Sequence, residues 1–239
     1  MRTLFALAFA SAATMTGSLL RAQETSSPVP TSAVEPPPAP ALPPPTEIPD
    51  VRLTRLFMGP TARSLPRGRG SVGLTEVLFP SVELGLTNRV SIWAVGVVPA
   101  EDLTDGGAFV APKIQLLRAA HVQAAVGGVL AFGSASTGAG AGAGGYAVVT
   151  VGGDSAAVTV GYEYRYLEPS EDSPGAFFFG AEKAFGRSFR LILEGHPVRD
   201  SVNSYWVGGA RFSRRRWSVD VGVVAGSEIF PFLAVGWAF

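Results

Sequence analysis

From Val51 to the C-terminus the apolar residues of this chain alternate with polar or small ones, and they never gather into a run long enough for a transmembrane helix. The clearest stretch is Ala157–Leu167, where Val158, Val160, Tyr162, Tyr164 and Tyr166 share one face and Thr159, Gly161, Glu163 and Arg165 the other. A period of two is the mark of a strand with two unlike faces. Val122, Ala124, Val126, Leu130 and Phe132 oppose His121 and Gln123 in the same way. Phe189, Leu191 and Leu193 oppose Arg190, Glu194 and His196, and Trp217, Val219, Val221 and Val223 oppose Ser218 and Asp220. Each segment has the length of a tilted strand crossing a hydrocarbon layer, about 10 residues.

Composition turns that pattern into a fold class. The chain is 47% hydrophobic, yet its longest apolar stretch after the N-terminus, Val122–Phe132, is far short of the ~20 residues of a membrane helix and contains Gln123. High hydrophobicity distributed by alternation predicts an all-β, closed antiparallel transmembrane barrel. The connections point the same way. Tight turns at Thr87–Arg89, Ala119–Ala120, Gly153–Ser155, Gly186–Arg187 and Ser213–Arg216 are separated by longer loops at Pro99–Gly107, Gly133–Gly144, Leu167–Pro174 and Arg199–Val202. Only the last loop, Gly226–Glu228, breaks the order by being short. Short periplasmic turns and longer external loops are the asymmetry of outer-membrane barrels. A Greek-key sandwich has no reason to keep it.

The same asymmetry counts strands. With the tight turns in the periplasm, an upward strand must precede the strand that ends at Thr87. Arg52–Gly59 is the candidate, with Thr61–Gly70 as the first external loop and Ser71–Leu86 as the second strand, bent at Pro80. The total is about twelve, with ten as the alternative if Arg52–Gly59 fails, since Arg52 and Arg55 fall on opposite faces.

The first fifty residues have a different character. Met1–Ala22 begins with Arg2, continues apolar from Leu4 to Ala13 and reads as a secretory signal peptide. Cleavage is expected after Ala22, with a site near Ala12 or Ala13 left open. Gln23–Asp50 contains ten prolines and no aromatic residue. It cannot bury a core, so it is expected to be a disordered, semi-rigid periplasmic tether. Its Pro40–Pro43 spacing matches PxxP only formally. The absence of cysteine excludes a disulfide-stapled domain, a thiolate zinc site and an N-terminal lipid anchor. Lysine and arginine number 19, as do aspartate and glutamate, and losing Arg2 and Arg21 with the signal leaves 17 against 19. Nothing in that balance points to nucleic acid.

The final segment, IFPFLAVGWAF, places Leu233, Val235, Trp237 and Phe239 on one face and Phe232, Ala234, Gly236 and Ala238 on the other. It resembles the closing strand of bacterial outer-membrane β-barrel proteins, the porin-like and OmpA-like class, although the glycine sits at Gly236 and the usual small-residue position is Ala234. The resemblance implies an outer-membrane location, contact with its lipids, and an assembly signal in Val235, Trp237 and Phe239 that the barrel-assembly machinery reads. It implies no substrate. Trp93, Trp206, Trp217, Trp237 and Tyr162–Tyr166 are expected to form interfacial girdles. Lys183 shares the parity of Phe177, Phe179 and Phe185, so it must snorkel to an interface or follow a bulge.

The chain offers little catalytic chemistry. It has two histidines, His121 and His196, on different strands, and no Ser-His-Asp order. Glu194 and His196 share a face and are the one pair to consider for acid–base or metal work. Gly138–Gly145 formally contains GxGxxG, but a Gly-Ala repeat makes that match almost automatic, and a flexible external loop is the simpler reading. Arg214–Arg216 falls in a periplasmic turn. No cofactor, metal site or catalytic residue is expected. Function is therefore expected in the lumen, lined by Lys113, Gln115, Gln123, Glu163, Arg165, Glu182, Arg190, Glu194, His196 and Asp220. Mixed signs suit either a salt-bridged interior or a narrow, weakly selective pore for small polar solutes. The favoured reading is thus a non-enzymatic pore or structural envelope protein. A lipid- or envelope-modifying membrane enzyme and a soluble secreted all-β binding domain are the alternatives.

Overall fold

The structure, a computed structural model, describes residues 51–98, 106–133, 142–166, 175–197 and 204–239, without the side chains of Arg165 and Tyr166. The expected signal peptide, the proline-rich tether and most of each long loop lie outside the described residues. Twelve strands are described: β1 (Gly70–Thr75), β2 (Phe79–Gly85), β3 (Val90–Val97), β4 (Gly107–Arg118), β5 (Val122–Phe132), β6 (Gly142–Gly152), β7 (Ala156–Tyr166), β8 (Ala176–Phe185), β9 (Phe189–His196), β10 (Tyr205–Arg214), β11 (Trp217–Ala225) and β12 (Ile229–Ala238). Each pairs antiparallel with its sequence neighbours, and β12 closes on β1, so the sheet is a closed twelve-stranded barrel. Closure removes the two long free edges that an open sheet would present to lipid.

The alternation sorts side chains to the two faces of this wall. Val158, Val160, Leu191, Leu193, Val221 and Val223 are all exposed on the outside. Thr159, Glu182, Arg190, Glu194, Arg211 and Asp220 are buried on the inside. A soluble domain would reverse this order. An outer surface of that kind is matched to hydrocarbon. Trp206, Trp217, Trp237, Tyr162 and Tyr164 face outward with it. Lys183 is exposed near the turn between β8 and β9, where its ammonium is within reach of an interface.

The turns after β2, β4, β6, β8 and β10 lie at one end of the barrel, beside the antiparallel start of β1 and end of β12, where Gly70 and Phe239 exchange backbone hydrogen bonds, and the short β1–β2 and β11–β12 turns lie at the other. The long connections share that second end. These are called the turn end and the loop end below.

Three expectations change. Arg52–Gly59 is not a wall strand, because residues 51–65 lie inside the barrel. Thr61–Gly70 is therefore no external loop but the return of that inner segment to the wall. Ser71–Leu86 is not one bent strand. It folds as the β1–β2 hairpin, and this restores the count of twelve. The hairpin turns through Glu76 and Val77 at φ 52° and 62°. Two consecutive positive φ values are the geometry of a tight hairpin turn, which usually calls for Asn-Gly. Glu-Val carries no such signal, so the turn is hidden in the sequence and Pro80 alone looked like the bend.

Candidate functional site: a segment held inside the barrel

Residues 51–65 fill the lower lumen, and 66–69 are exposed where the chain rejoins the wall. Val51, Leu56, Phe57, Ala62 and Leu65 are buried, and so are Arg52, Thr54, Arg55, Thr61 and Arg63. The segment bends into a small hairpin, with an Arg55–Pro60 bridge and a Thr61 N–H donated to the Thr54 carbonyl at 2.9 Å. Its tip, Leu56–Gly59, points toward the upper lumen. Its C-terminal end leaves beside Gly85 at the turn end, where the Gly68 amide donates to the Gly85 carbonyl at 2.9 Å.

A backbone away from water must have its polar groups satisfied, and here the wall does that. Glu194 on β9 accepts three successive N–H groups, from Phe57 at 2.9 Å, Met58 at 3.0 Å and Gly59 at 2.6 Å. Arg211 on β10 donates to the carbonyls of Arg52 at 2.8 Å, Arg55 at 3.2 Å and Leu56 at 2.7 Å. Its remaining donors grip Asp220 on β11 at 2.8 and 3.0 Å. Lys113 on β4 donates to the Thr54 and Thr61 carbonyls at 3.1 and 3.3 Å. Lower down, the Gln115 amide donates to the Ala62 carbonyl, and the Ala62 N–H donates to Thr150, each near 2.8–2.9 Å.

Ion pairs repeat the arrangement. Arg52 lies 3.3 Å from Asp220, Arg55 lies 3.2 Å from Glu83 on β2, and Arg63 pairs with Glu182 on β8. The Arg55 guanidinium also stacks 4.3 Å from the Trp93 ring centroid. Close packing completes the fit. A Cβ at Gly180 would stand 2.2 Å from Leu56 Cδ1, so any larger residue there must displace that leucine.

The expected lumen set can now be placed. Lys113, Gln115, Glu182, Glu194 and Asp220 face inward, are buried and bind the inner segment directly. Arg190 is buried beside Glu182, 3.1 Å away. His196 is buried between Phe178 and Tyr205, with Nε2 2.5 Å from Glu194 Oε1. Gln123 is half-buried and accepts from Gln115 at 2.8 Å, and Glu163 is half-buried on the inner face. The Arg165 side chain lies outside the described residues. Glu83, Arg211 and the segment's own Arg52, Arg55 and Arg63 were missing from the set. Trp93, expected in an outer girdle, faces the lumen under Arg55 instead.

The Glu194–His196 pair does come together, but its carboxylate is spent on three backbone amides. That is an anchoring role. Val235 and Trp237 on β12, and Phe239 just after it, are exposed on the outer face.

Above the segment's tip the lumen opens into a vestibule of about 460 Å³ toward the loop end. Its walls include Phe79, Trp93, Phe109, Tyr146, Tyr205 and Phe230, and its floor is Phe57, Met58 and Gly59.

Fold and lumen define the class: a closed twelve-stranded antiparallel β-barrel whose interior is occupied by residues 51–65 of its own chain. Among solved structures the chain is similar to the KdgM porin, with a TM-score of 0.54 and 12% identity over 72% of this chain and 98% of that one. It is similarly related to the KdgM porin in complex with disordered oligogalacturonate, with a TM-score of 0.53, 12% identity and the same coverage. At that identity the likeness is one of fold. No protein-family model and no curated protein sequence matches the chain.

Proposed function

We propose that this chain is an outer-membrane porin-type barrel for small solutes, with its conduit closed at rest by residues 51–65. The observation that carries the reading is the inner segment itself. It lies in the lumen of a closed barrel and is held there by hydrogen bonds and ion pairs, its only covalent tie to the wall among the described residues being its continuation into β1. A segment held in that way can leave, and the lined conduit it would vacate is polar. The apolar outer face supports a place in the lipid bilayer. An exported precursor supports the outer membrane: Met1–Ala22 directs secretion and is removed, and Gln23–Asp50 tethers the barrel from the periplasm. Outer-membrane lipids meet the outward belt, and the barrel-assembly machinery reads Val235, Trp237 and Phe239. The chain is a conduit and carries no reaction of its own.

Conductance in planar bilayers tests this. The full chain is expected to be mostly silent, and the Gly180→Val variant, whose added methyls collide with Leu56, is expected to conduct steadily. A correctly folded barrel that stays silent in both forms overturns the pore reading and leaves a structural envelope protein.

A further inference from the structure

The barrel wall is incomplete at one seam. β11 pairs with β12 from Ile229 to Trp237, but β1 pairs with it only from Ala234 to Ala238. The β1–β2 hairpin stops at Glu76, whose N–H donates to the Leu233 carbonyl at 2.9 Å and whose carboxylate accepts the Leu233 N–H at 2.6 Å. Beyond that pair, Ile229–Phe232 has no strand on its β1 side among the described residues. Four residues of missing ladder correspond to roughly 13 Å of wall. Pro231 stands in this stretch, and a residue without an N–H is what an unpaired edge tolerates. Val77 on one side of the gap and Ile229 on the other are 72% and 76% exposed.

Behind the gap lies the vestibule. Glu76 and Phe79 from one side of the seam and Glu228 and Phe230 from the other belong to its lining. Its surface is mostly apolar and aromatic, although Arg52, Arg55, Glu163 and His196 also reach it, and in the lower lumen the wall carboxylates and cations are taken up by the inner segment. That segment also floors the cavity, so whatever enters sits in a blind chamber. A polar solute gains little from a wall of phenylalanine and tryptophan, whereas an apolar or aromatic molecule is desolvated on most of its surface there. Such molecules concentrate in lipid, and the gap is bordered on its outer side by the exposed apolar Val77 and Ile229.

We infer that the seam between β12 and the β1–β2 hairpin is a lateral opening, through which a small apolar or aromatic molecule passes between the surrounding lipid and a binding site in the vestibule. The inference rests on the membrane-embedded reading above.

The test uses the full chain in phosphatidylcholine vesicles and a lipid-soluble photolabel, trifluoromethyl-iodophenyl-diazirine, with labelled residues mapped by mass spectrometry. Labelling is expected on the outward belt at Val221 and Leu233, and also inside at Phe79, Trp93 and Phe230. The chain has no cysteine, so Val77→Cys with Ile229→Cys gives a unique pair that a bis-maleimide can bridge across the gap. Bridging is expected to abolish the inner labelling and leave the belt unchanged. Inner labelling that survives the bridge means entry through the loop end and overturns the lateral route. A labelled belt with no inner labelling in the unbridged protein overturns the opening and its site together. An unlabelled belt removes the membrane reading itself, so the two failures are distinct. If the bridged pair does not give a folded barrel, Glu76→Gly decides: it removes the carboxylate from Leu233 at a φ that glycine accepts, and inner labelling must rise. No change there overturns the proposal.

Discussion

Glu194 holds Gly59 across 135 residues of sequence, its carboxylate accepting the glycine N–H at 2.6 Å while also accepting those of Phe57 and Met58. Three successive amides converging on one anion form a nest, here filled by a side chain of the same molecule. A Cβ on Gly59 would stand 2.9 Å from Glu194 Oε1 and 3.1 Å from the Phe178 ring, so the approach depends on glycine. In Glu194→Gln the negative charge is gone and an NH₂ group replaces one acceptor oxygen. The tip of the inner segment should then lose roughly 2–5 kcal/mol of attachment, the usual cost of breaking a buried charged hydrogen-bond set. Trypsin reads this directly, since Arg55 and Arg63 are buried cleavage sites in the resting barrel. Cleavage of the folded protein after these residues should accelerate at least tenfold, the factor that ~1.4 kcal/mol supplies. An unchanged cleavage rate would show that the carboxylate does not hold the segment.

Arg211 should be the residue least tolerant of substitution. It is fully buried, and its planar fork serves Asp220 on one side and three carbonyls of the inner segment on the other. Lysine cannot reproduce that fork, so Arg211→Lys should already release the segment to trypsin. Arg211→Met should cost the barrel more, about 3–5 kcal/mol, because Asp220 stays buried with only Arg52 to offset it. Adding Asp220→Asn should recover part of that loss. Urea midpoints, read from the folded and unfolded bands on a gel, give the comparison. Strictly additive losses would refute the coupling.

Much of the wall could be read from the sequence because its rule is local. Leu191 and Leu193 face out and Arg190 and Glu194 face in for the same reason: successive side chains in a strand point to opposite faces. The inner segment obeys no local rule. Arg52–Gly59 alternates well enough to pass for a strand, and its partners Glu83, Glu194 and Asp220 are set by contacts far away in sequence. One signal was available. Arg52 and Arg55 sit on opposite faces, and a strand with lipid on one side does not place arginine there. Three segment arginines, Arg52, Arg55 and Arg63, also answer three inward carboxylates, Asp220, Glu83 and Glu182. The vestibule was harder still to see, because its rings come from six different strands and Trp93 carries the same pattern as an outer girdle residue.

The C-terminus separates folding from assembly. Phe239 closes the barrel through its backbone, accepting the Gly70 N–H at 3.1 Å and donating to the Gly70 carbonyl at 2.9 Å. Its ring is half-exposed on the outer face, continuing the row of Val235 and Trp237. Backbone bonds survive a change of side chain, so Phe239→Ala should leave the purified protein able to refold in detergent, with at most about 1 kcal/mol lost from reduced apolar contact. In cells the same variant should reach the outer membrane poorly, because the aromatic row is the feature the assembly machinery is proposed to read. The measurement is the heat-modifiable band in outer-membrane fractions set beside the refolding yield in detergent. A fall in cells with normal refolding supports an assembly signal at Phe239. Equal losses in both would make the ring a structural element of the wall, and no loss in cells would remove it from the signal.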